Sequence, residues 1–248
     1  MGSPAGFAVS SYQGNIAWQQ FKKENFTRKS GTTLFLSDLS FFSDHEFRGM
    51  YSALSGDEQK TADAYRHQTS KKQFIAGRYL TRFLCSLAVG ASPGEIRFYL
   101  SEHNKPILAD PVIPLCFNVS HAADRVLIGI SFDGEIGVDI EKVNQDFDYL
   151  GFSDEHFSAG EKEMIARADK SMAIHHFYST WTRKEAWLKL TGEGITGRLE
   201  LYDVSKSENE NAGIFITTFA DGDYLLSVAQ ADKSTPDCFR INSLEGLL

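Results

Sequence analysis

Ser55-Gly56-Asp57-Glu58 and Ser158-Ala159-Gly160-Glu161 are both Ser-x-x-Glu boxes, the pattern in which a serine and a glutamate side chain reciprocally cap a helix start. They stand 103 residues apart. The same shift carries Phe74 onto Phe177, Leu84 onto Trp187, Leu87 onto Leu190, Ile96 onto Leu199 and Phe98 onto Leu201. It also lays the strand-like Thr33-Leu34-Phe35 over Ile136-Gly137-Val138. Caps, helices and strands that match in one register restrict the chain to a duplicated architecture. The expectation is an α+β protein of two pseudo-symmetric halves, residues 1–133 and 134–248. Each half is a small, mainly antiparallel sheet with a long packed helix, and a ligand cleft lies between them.

Within that frame the elements follow from apolar spacing. Thr33-Leu34-Phe35-Leu36 reads as a first strand, followed by a polar stretch and the helix capped by Ser55 and Glu58. A longer helix is expected from about Ser70 to Val89, with Phe74, Ile75, Leu80, Phe83, Leu84 and Leu87 at its apolar positions and Gly90 at its end. Ile96-Arg97-Phe98-Tyr99 reads as a strand, His103 to Pro114 as a Pro-broken loop, and Phe117–His121 with Val126–Ile130 as a hairpin. In the second half, Lys206 to Asn211 is a polar, acidic loop, and Ile214–Thr217 with Tyr224–Val228 is a late hairpin. The opening Met1–Gly6 carries no weight in this reading.

Composition excludes several classes. Of the 248 residues 42% are hydrophobic and 23% charged, which suits a folded soluble enzyme and rules out wholesale disorder. A net charge of -8 argues against a nucleic-acid binder, because neutralising phosphates takes an excess of Lys and Arg. Cys85, Cys116 and Cys238 form no C-x-x-C and no even framework, so they read as thiols in a reducing compartment. No apolar run reaches the length of a membrane span and no signal-peptide core opens the chain, so the expected location is cytoplasmic.

The chemistry-bearing residues cluster in three stretches. Gly137-Val138-Asp139-Ile140-Glu141 alternates strictly, so in a strand Asp139 and Glu141 share one face, about 7 Å apart at Cα and near enough to reach one hard cation. The bland alternative is a solvated outer face. In Trp181-Thr182-Arg183-Lys184-Glu185-Ala186-Trp187-Leu188-Lys189, a helical wheel puts Ile174, Phe177, Trp181 and Leu188 on an apolar face and Glu185 at its edge. A carboxylate at such a border needs compensation, either from Lys189 at i+4 or from a cation. Three carboxylates without a Cys or His cluster suggest Mg²⁺ or Mn²⁺ with retained waters, as used when a substrate supplies phosphate oxygens. In Asn118-Val119-Ser120-His121, a hydroxyl, a turn and an imidazole at a strand end suit an anionic phosphate, although a histidine that merely completes a turn fits equally well. Lys105, before Pro106, is by itself a solvated loop lysine.

Taken together, Phe117–His121, Gly137–Glu141 and Trp181–Lys189 resemble, in order and spacing, the three signature blocks of the 4'-phosphopantetheinyl transferases. The subtype resembled is the large, monomeric, surfactin-synthetase-activating type, whose two pseudo-symmetric halves match the repeat. The likeness covers roughly Ser55 to Val204. It implies transfer of the 4'-phosphopantetheine arm of coenzyme A, the co-substrate, to a serine of an apo acyl or peptidyl carrier protein, releasing adenosine 3',5'-bisphosphate. By position it implies that Asp139, Glu141 and Glu185 hold Mg²⁺ and that Ser120 and His121 contact coenzyme A phosphates. Lys105, from a Gly-Lys-Pro block, would lie near the nucleotide, and Lys189 by the phosphate being split. Glu141 or Glu185 would activate the attacking serine. A monomer is expected, with no nucleic-acid or membrane partner.

The sequence departs from that pattern at Asn104, which replaces a glycine, and at Gln73, Glu58 and Thr61, where relatives carry basic residues for the 3'-phosphate. Arg78, Lys71 and Lys72 are the candidate substitutes. Two competing readings remain on the residues alone. One is another Mg²⁺-dependent phosphohydrolase or nuclease that uses the same three carboxylates. The other is a non-catalytic duplicated scaffold.

Overall fold

The two ends of the chain change places. In a computed structural model of the protein, the first strand, β1 (Phe7–Val9), pairs parallel with β9 (Ile214–Asp221), whereas the last, β11 (Asp237–Arg240), lies parallel between β2 (Gln19–Gln20) and β3 (Thr32–Asp38). The compact units are therefore not two continuous halves. One comprises Ala17–Gly134 and Ser234–Leu248, the other Met1–Ile16 and Glu135–Lys233. One boundary between the units falls at Gly134–Glu135, and both termini cross from one unit to the other, because a short strand gains its hydrogen bonds wherever an edge is open. The structure describes residues 7–9, 13–28, 30–101, 105–109, 113–192, 199–205, 213–231 and 233–245. The opening Met1–Gly6, His103–Asn104 and the acidic loop Lys206–Asn211 lie outside them.

The N-terminal unit holds a five-stranded sheet in the order β2-β11-β3-β7-β6, where β6 is Cys116–Ala122 and β7 is Arg125–Ser131. Helices α1 (Asp44–Ser52), α2 (Gly56–Ala64) and α3 (Gln68–Val89) follow β3. A two-stranded sheet of β4 (Phe98–Leu100) and β5 (Pro106–Leu108) follows α3. The C-terminal unit holds the sheet β1-β9-β10-β8, where β8 is Ile136–Lys142 and β10 is Tyr224–Gln230. Its helices are α4 (Tyr149–His156), α5 (Ala159–Arg167) and α6 (Lys170–Thr191).

Each unit thus runs strand, three helices, hairpin, and in each the second hairpin strand returns antiparallel to the strand that precedes the helices: β7 on β3 and β10 on β8. The Ser-x-x-Glu boxes are real caps: Glu58 N–H donates to Ser55 Oγ and Glu161 N–H to Ser158 Oγ, and both glutamate carboxylates accept from the serine N–H in return. The two long helices have the same length, 22 residues, and both end on a left-handed glycine, Gly90 and Gly192. The architecture is α+β with mixed sheets, since β1 and β11 each add parallel pairs to otherwise antiparallel ladders.

Three local expectations change. The polar stretch after β3 contains α1, capped by Ser43 and Glu46, which sequence spacing passed over because the helix buries only Phe47 and Met50. The strand expected at Ile96–Tyr99 begins at Phe98, because Ser92 and Glu95 cap a short 3-10 turn immediately before it. Within the Pro-broken loop, Pro106 opens β5 opposite Leu100, at a strand's first residue, where proline is tolerated.

Candidate active site

Gly137 decides how closely α6 can lie on β8. A Cβ built on it would stand 1.9 Å from the Ala186 carbonyl oxygen and 2.5 Å from the Leu190 nitrogen, so only a hydrogen permits this approach. With the backbones so close, side chains spaced one helical turn apart on α6, Trp181, Glu185 and Lys189, face those spaced two apart on β8, Asp139 and Glu141. Strand and helix run in opposite senses. Lys189 Nζ meets Asp139 Oδ1 at 2.6 Å, and Trp181 Nε1 donates to Glu141 Oε1 at 3.2 Å.

The face of β8 that bears the carboxylates is therefore not solvated. Asp139 is 3% exposed and Glu185 8%, while Val138 and Ile140 on the opposite face are also buried. The i,i+4 pairing of Glu185 with Lys189 is replaced by the Lys189–Asp139 ion pair, because the strand offers the ammonium a carboxylate at hydrogen-bond distance.

The surroundings of the two glutamates show in their titration. Burial, then the Asp139 charge, pushes Glu141 up to about 7, against the lowering by the Trp181 hydrogen bond and Lys189 and with a further push from Glu185. Burial and Asp139 likewise push Glu185 up to about 7, against Lys189. Glu185 Oε1 is buried without a hydrogen-bond partner. Among the described residues no three His, Cys, Asp or Glu side chains stand as a ready-made metal cage. The donors nevertheless suit a hard divalent cation in kind: all are carboxylate oxygens, Glu185 Oε1 is buried without a partner, and burial beside Asp139 disfavours the ionised form of both glutamates.

The other expected residues belong to the N-terminal unit. Arg78 and His121 line one pocket of about 160 Å³ with Gln73, Phe74, Gly77, Thr81, Pro106 and Val119. The Arg78 guanidinium lies over the Phe74 ring at 5.7 Å and the Phe98 ring at 5.4 Å, and its Nε stands 3.4 Å from Glu58 Oε1. Burial lowers its pKa, with Glu58 opposing. Lys105 precedes the pocket residue Pro106, and its backbone N–H donates to Ser101 Oγ at 3.1 Å. Ser120 and His121 are neighbours on β6, so they face opposite sides of the strand. Val119 and His121 face the pocket, whereas Ser120 is buried. Lys71 and Lys72 are committed to ion pairs with Asp63 and Asp44, and Gln73 Nε2 donates to the Ala123 carbonyl.

Sequence reasoning missed four contributors. Trp181 counted only as an apolar helix position, and Gly137 only as a strand residue. The other two are buried cations that serve the capping glutamates. Arg82 NH2 meets Glu58 Oε2 at 2.7 Å while its NH1 donates to the Pro93 and Ile96 carbonyls. Lys184 Nζ meets Glu161 Oε2 at 2.9 Å and donates to the Leu199 and Tyr202 carbonyls. The available signal was the repeat itself, since Arg82 and Lys184 occupy nearly matching positions on the two long helices.

The chain matches known proteins over both units. Residues 135–236 match a family model described as the 4'-phosphopantetheinyl transferase superfamily, and residues 42–131 one described as 4'-phosphopantetheinyl transferase, N-terminal. It is similar to the 4'-phosphopantetheinyl transferase HetI of Nostoc sp., 29% identical over 68% of this chain and 72% of that protein. It is similar to the 4'-phosphopantetheinyl transferase Sfp of Bacillus subtilis, 26% identical over 83% of this chain and 95% of that one. It is also similar to AcpT of Escherichia coli, 33% identical over 49% of this chain and 58% of the relative.

Proposed function

Because this chain belongs to the 4'-phosphopantetheinyl transferase superfamily, we propose a division of labour among its residues for the transfer of phosphopantetheine from coenzyme A to a carrier protein. The observation that carries it is the seam of Asp139, Glu141, Glu185 and Lys189 between β8 and α6, where two acids are pushed up to about 7.

Asp139, Glu141 and Glu185 are the residues that would hold Mg²⁺, with Mn²⁺ as the alternative. Bound there, the ion supplies positive charge to the pyrophosphate of coenzyme A. Glu141 or Glu185 takes the proton from the carrier serine hydroxyl. The serine oxygen forms its bond to the β-phosphorus as the bond from that phosphorus to the departing adenosine 3',5'-bisphosphate breaks. The Lys189 ammonium, which stands against Asp139, neutralises charge on the leaving oxygen. No enzyme nucleophile is needed, because positioning and charge neutralisation carry phosphoryl-type transfer.

Arg78 and His121 are proposed to receive the phosphate-bearing end of coenzyme A in their shared pocket; Lys105 and Ser120, next in sequence to the pocket residues Pro106 and His121, are proposed contacts outside its lining. Arg78 suits this role because its guanidinium lies within cation–π distance of two rings and is ion-paired through Nε, which restricts the directions of its remaining donors. The partner is an apo acyl or peptidyl carrier, and the enzyme works as a cytoplasmic monomer. No helix among the described residues is long and apolar enough to cross a membrane, and Cys85 and Cys238 are buried thiols pushed up to about 12 by burial.

The test is mass spectrometry of apo carrier proteins from fatty acid, polyketide and nonribosomal peptide systems after incubation with this protein, coenzyme A and Mg²⁺. The expected result is one phosphopantetheine added to at least one carrier, and none with Glu185→Ala. A full panel left unmodified by the wild-type protein refutes the assignment.

A further inference from the structure

The acids at the β8–α6 seam are held by donors of opposite kinds. Asp139 receives a cation, the Lys189 ammonium at 2.6 Å. Glu141 receives a neutral donor, the Trp181 indole N–H at 3.2 Å, and its Oε2 takes no hydrogen bond from any described residue. An ammonium both orients a carboxylate and cancels its charge. An indole has one N–H, no acceptor and no charge, so it can fix one carboxylate oxygen while leaving the group's negative charge for something else.

The indole is itself held in place. Phe152 packs edge-on against it at 4.8 Å and 87°, and Phe152 is wedged in turn against Phe157 and Phe177. Trp181 stands one helical turn before Glu185 on the same face of α6, so the ring that holds Glu141 and the second acid share one rigid support.

We infer that Trp181 is a positioning residue: by taking Glu141 Oε1 it sets the plane of that carboxylate and presents Oε2, together with Glu185, to a divalent cation. Outer partners that orient metal ligands usually change metal affinity or activity by about 10–100-fold when removed. This inference rests on the reading of the three acids as cation ligands. It does not depend on which carrier is modified.

Trp181→Phe is the discriminating variant, because it removes the N–H donor while keeping an aromatic ring against Phe152, and the melting temperature reports the packing lost with the rest of the indole. The chain has three tryptophans, Trp18, Trp181 and Trp187, so the indole resonance absent from Trp181→Phe identifies Trp181 in ¹H–¹⁵N spectra of the full-length protein. Titrating Mg²⁺ alone, without coenzyme A or carrier, should move that resonance saturably, and Glu141→Gln should displace it in metal-free protein. In Trp181→Phe the half-saturating Mg²⁺ concentration, read by thermal shift and by turnover, should rise about tenfold while the KM for coenzyme A stays within twofold. A packing role alone would lower the melting temperature without that split. An indole resonance unmoved by saturating Mg²⁺, or a half-saturation within twofold of wild type, overturns the inference. If no carrier is modified yet Mg²⁺ still moves the resonance, the transferase assignment fails and this inference stands.

Discussion

Replacing Gly137 with alanine tests the central geometric claim, that the site exists because α6 can touch the backbone of β8. The added methyl would sit 1.9 Å from the Ala186 oxygen, about 1.5 Å inside ordinary contact at 3.4 Å, and 2.5 Å from the Leu190 nitrogen. Both obstacles are backbone, so no rotamer change relieves them, and α6 must lift or slide by on the order of 1 Å. Overpacking of this kind costs about 1–3 kcal/mol, occasionally more, and a rigid backbone obstacle belongs at the upper end. At roughly 2–4 °C per kcal/mol for a protein of this size, the melting temperature should fall by about 6–12 °C. The same lift separates Glu185 and Lys189 from Asp139 and Glu141, and a displacement near 1 Å is worth about 10²-fold in rate. The assay is a calorimetric melt beside kcat for holo-carrier formation, with Gly49→Ala as control. Gly49 lies inside α1 with nothing within 4 Å of its Cβ position, so alanine there should stabilise slightly and leave kcat unchanged. A Gly137→Ala protein that melts within 2 °C of wild type and keeps kcat within about threefold would refute the reasoning.

Glu185→Gln should make the metal-free protein more stable than wild type by a margin that grows with pH. The folded carboxylate is held up to about 7 against an ordinary 4.5, so between those values the folded state binds more protons than the unfolded one and wild-type stability declines as pH rises. Melts in chelator from pH 4.5 to 8 check this, and a difference that shrinks across the window contradicts it. Lys184→Met should cost about 3–5 kcal/mol, because Glu161, with no exposed surface, loses its cation. Adding Glu161→Gln should recover part of that in denaturant unfolding, and strict additivity of the two changes would disprove the coupling. Lys189→Met should lower kcat by roughly 10²-fold with a smaller change in the KM for coenzyme A. Unchanged kcat with a lowered melting temperature would make Lys189 only the counter-ion of Asp139.

What the sequence by itself determined is what depends on neighbours along the chain. The boxes at Ser55 and Ser158, the long helices ending at Gly90 and Gly192, and the two hairpins follow from spacing and cap chemistry that act within a few residues, and all are present. The repeat made the shared order of elements legible, and alternation put Asp139 and Glu141 on one face of β8. Partners chosen across space were not legible. Spacing along the helix could offer Glu185 only Lys189 or an outside cation as compensation, but β8 brings Asp139 within 2.6 Å of the ammonium. Trp181 read as one more apolar position until Glu141 lay against its N–H. Nor could spacing show that β1 and β11 would exchange units, since a strand of three or four residues is stabilised by the ladder it joins rather than by its own pattern. Tertiary structure decided these features because charge, hydrogen bonding and close packing depend on distance, and only the folded backbone, with a bare glycine at 137, sets how near α6 comes to β8.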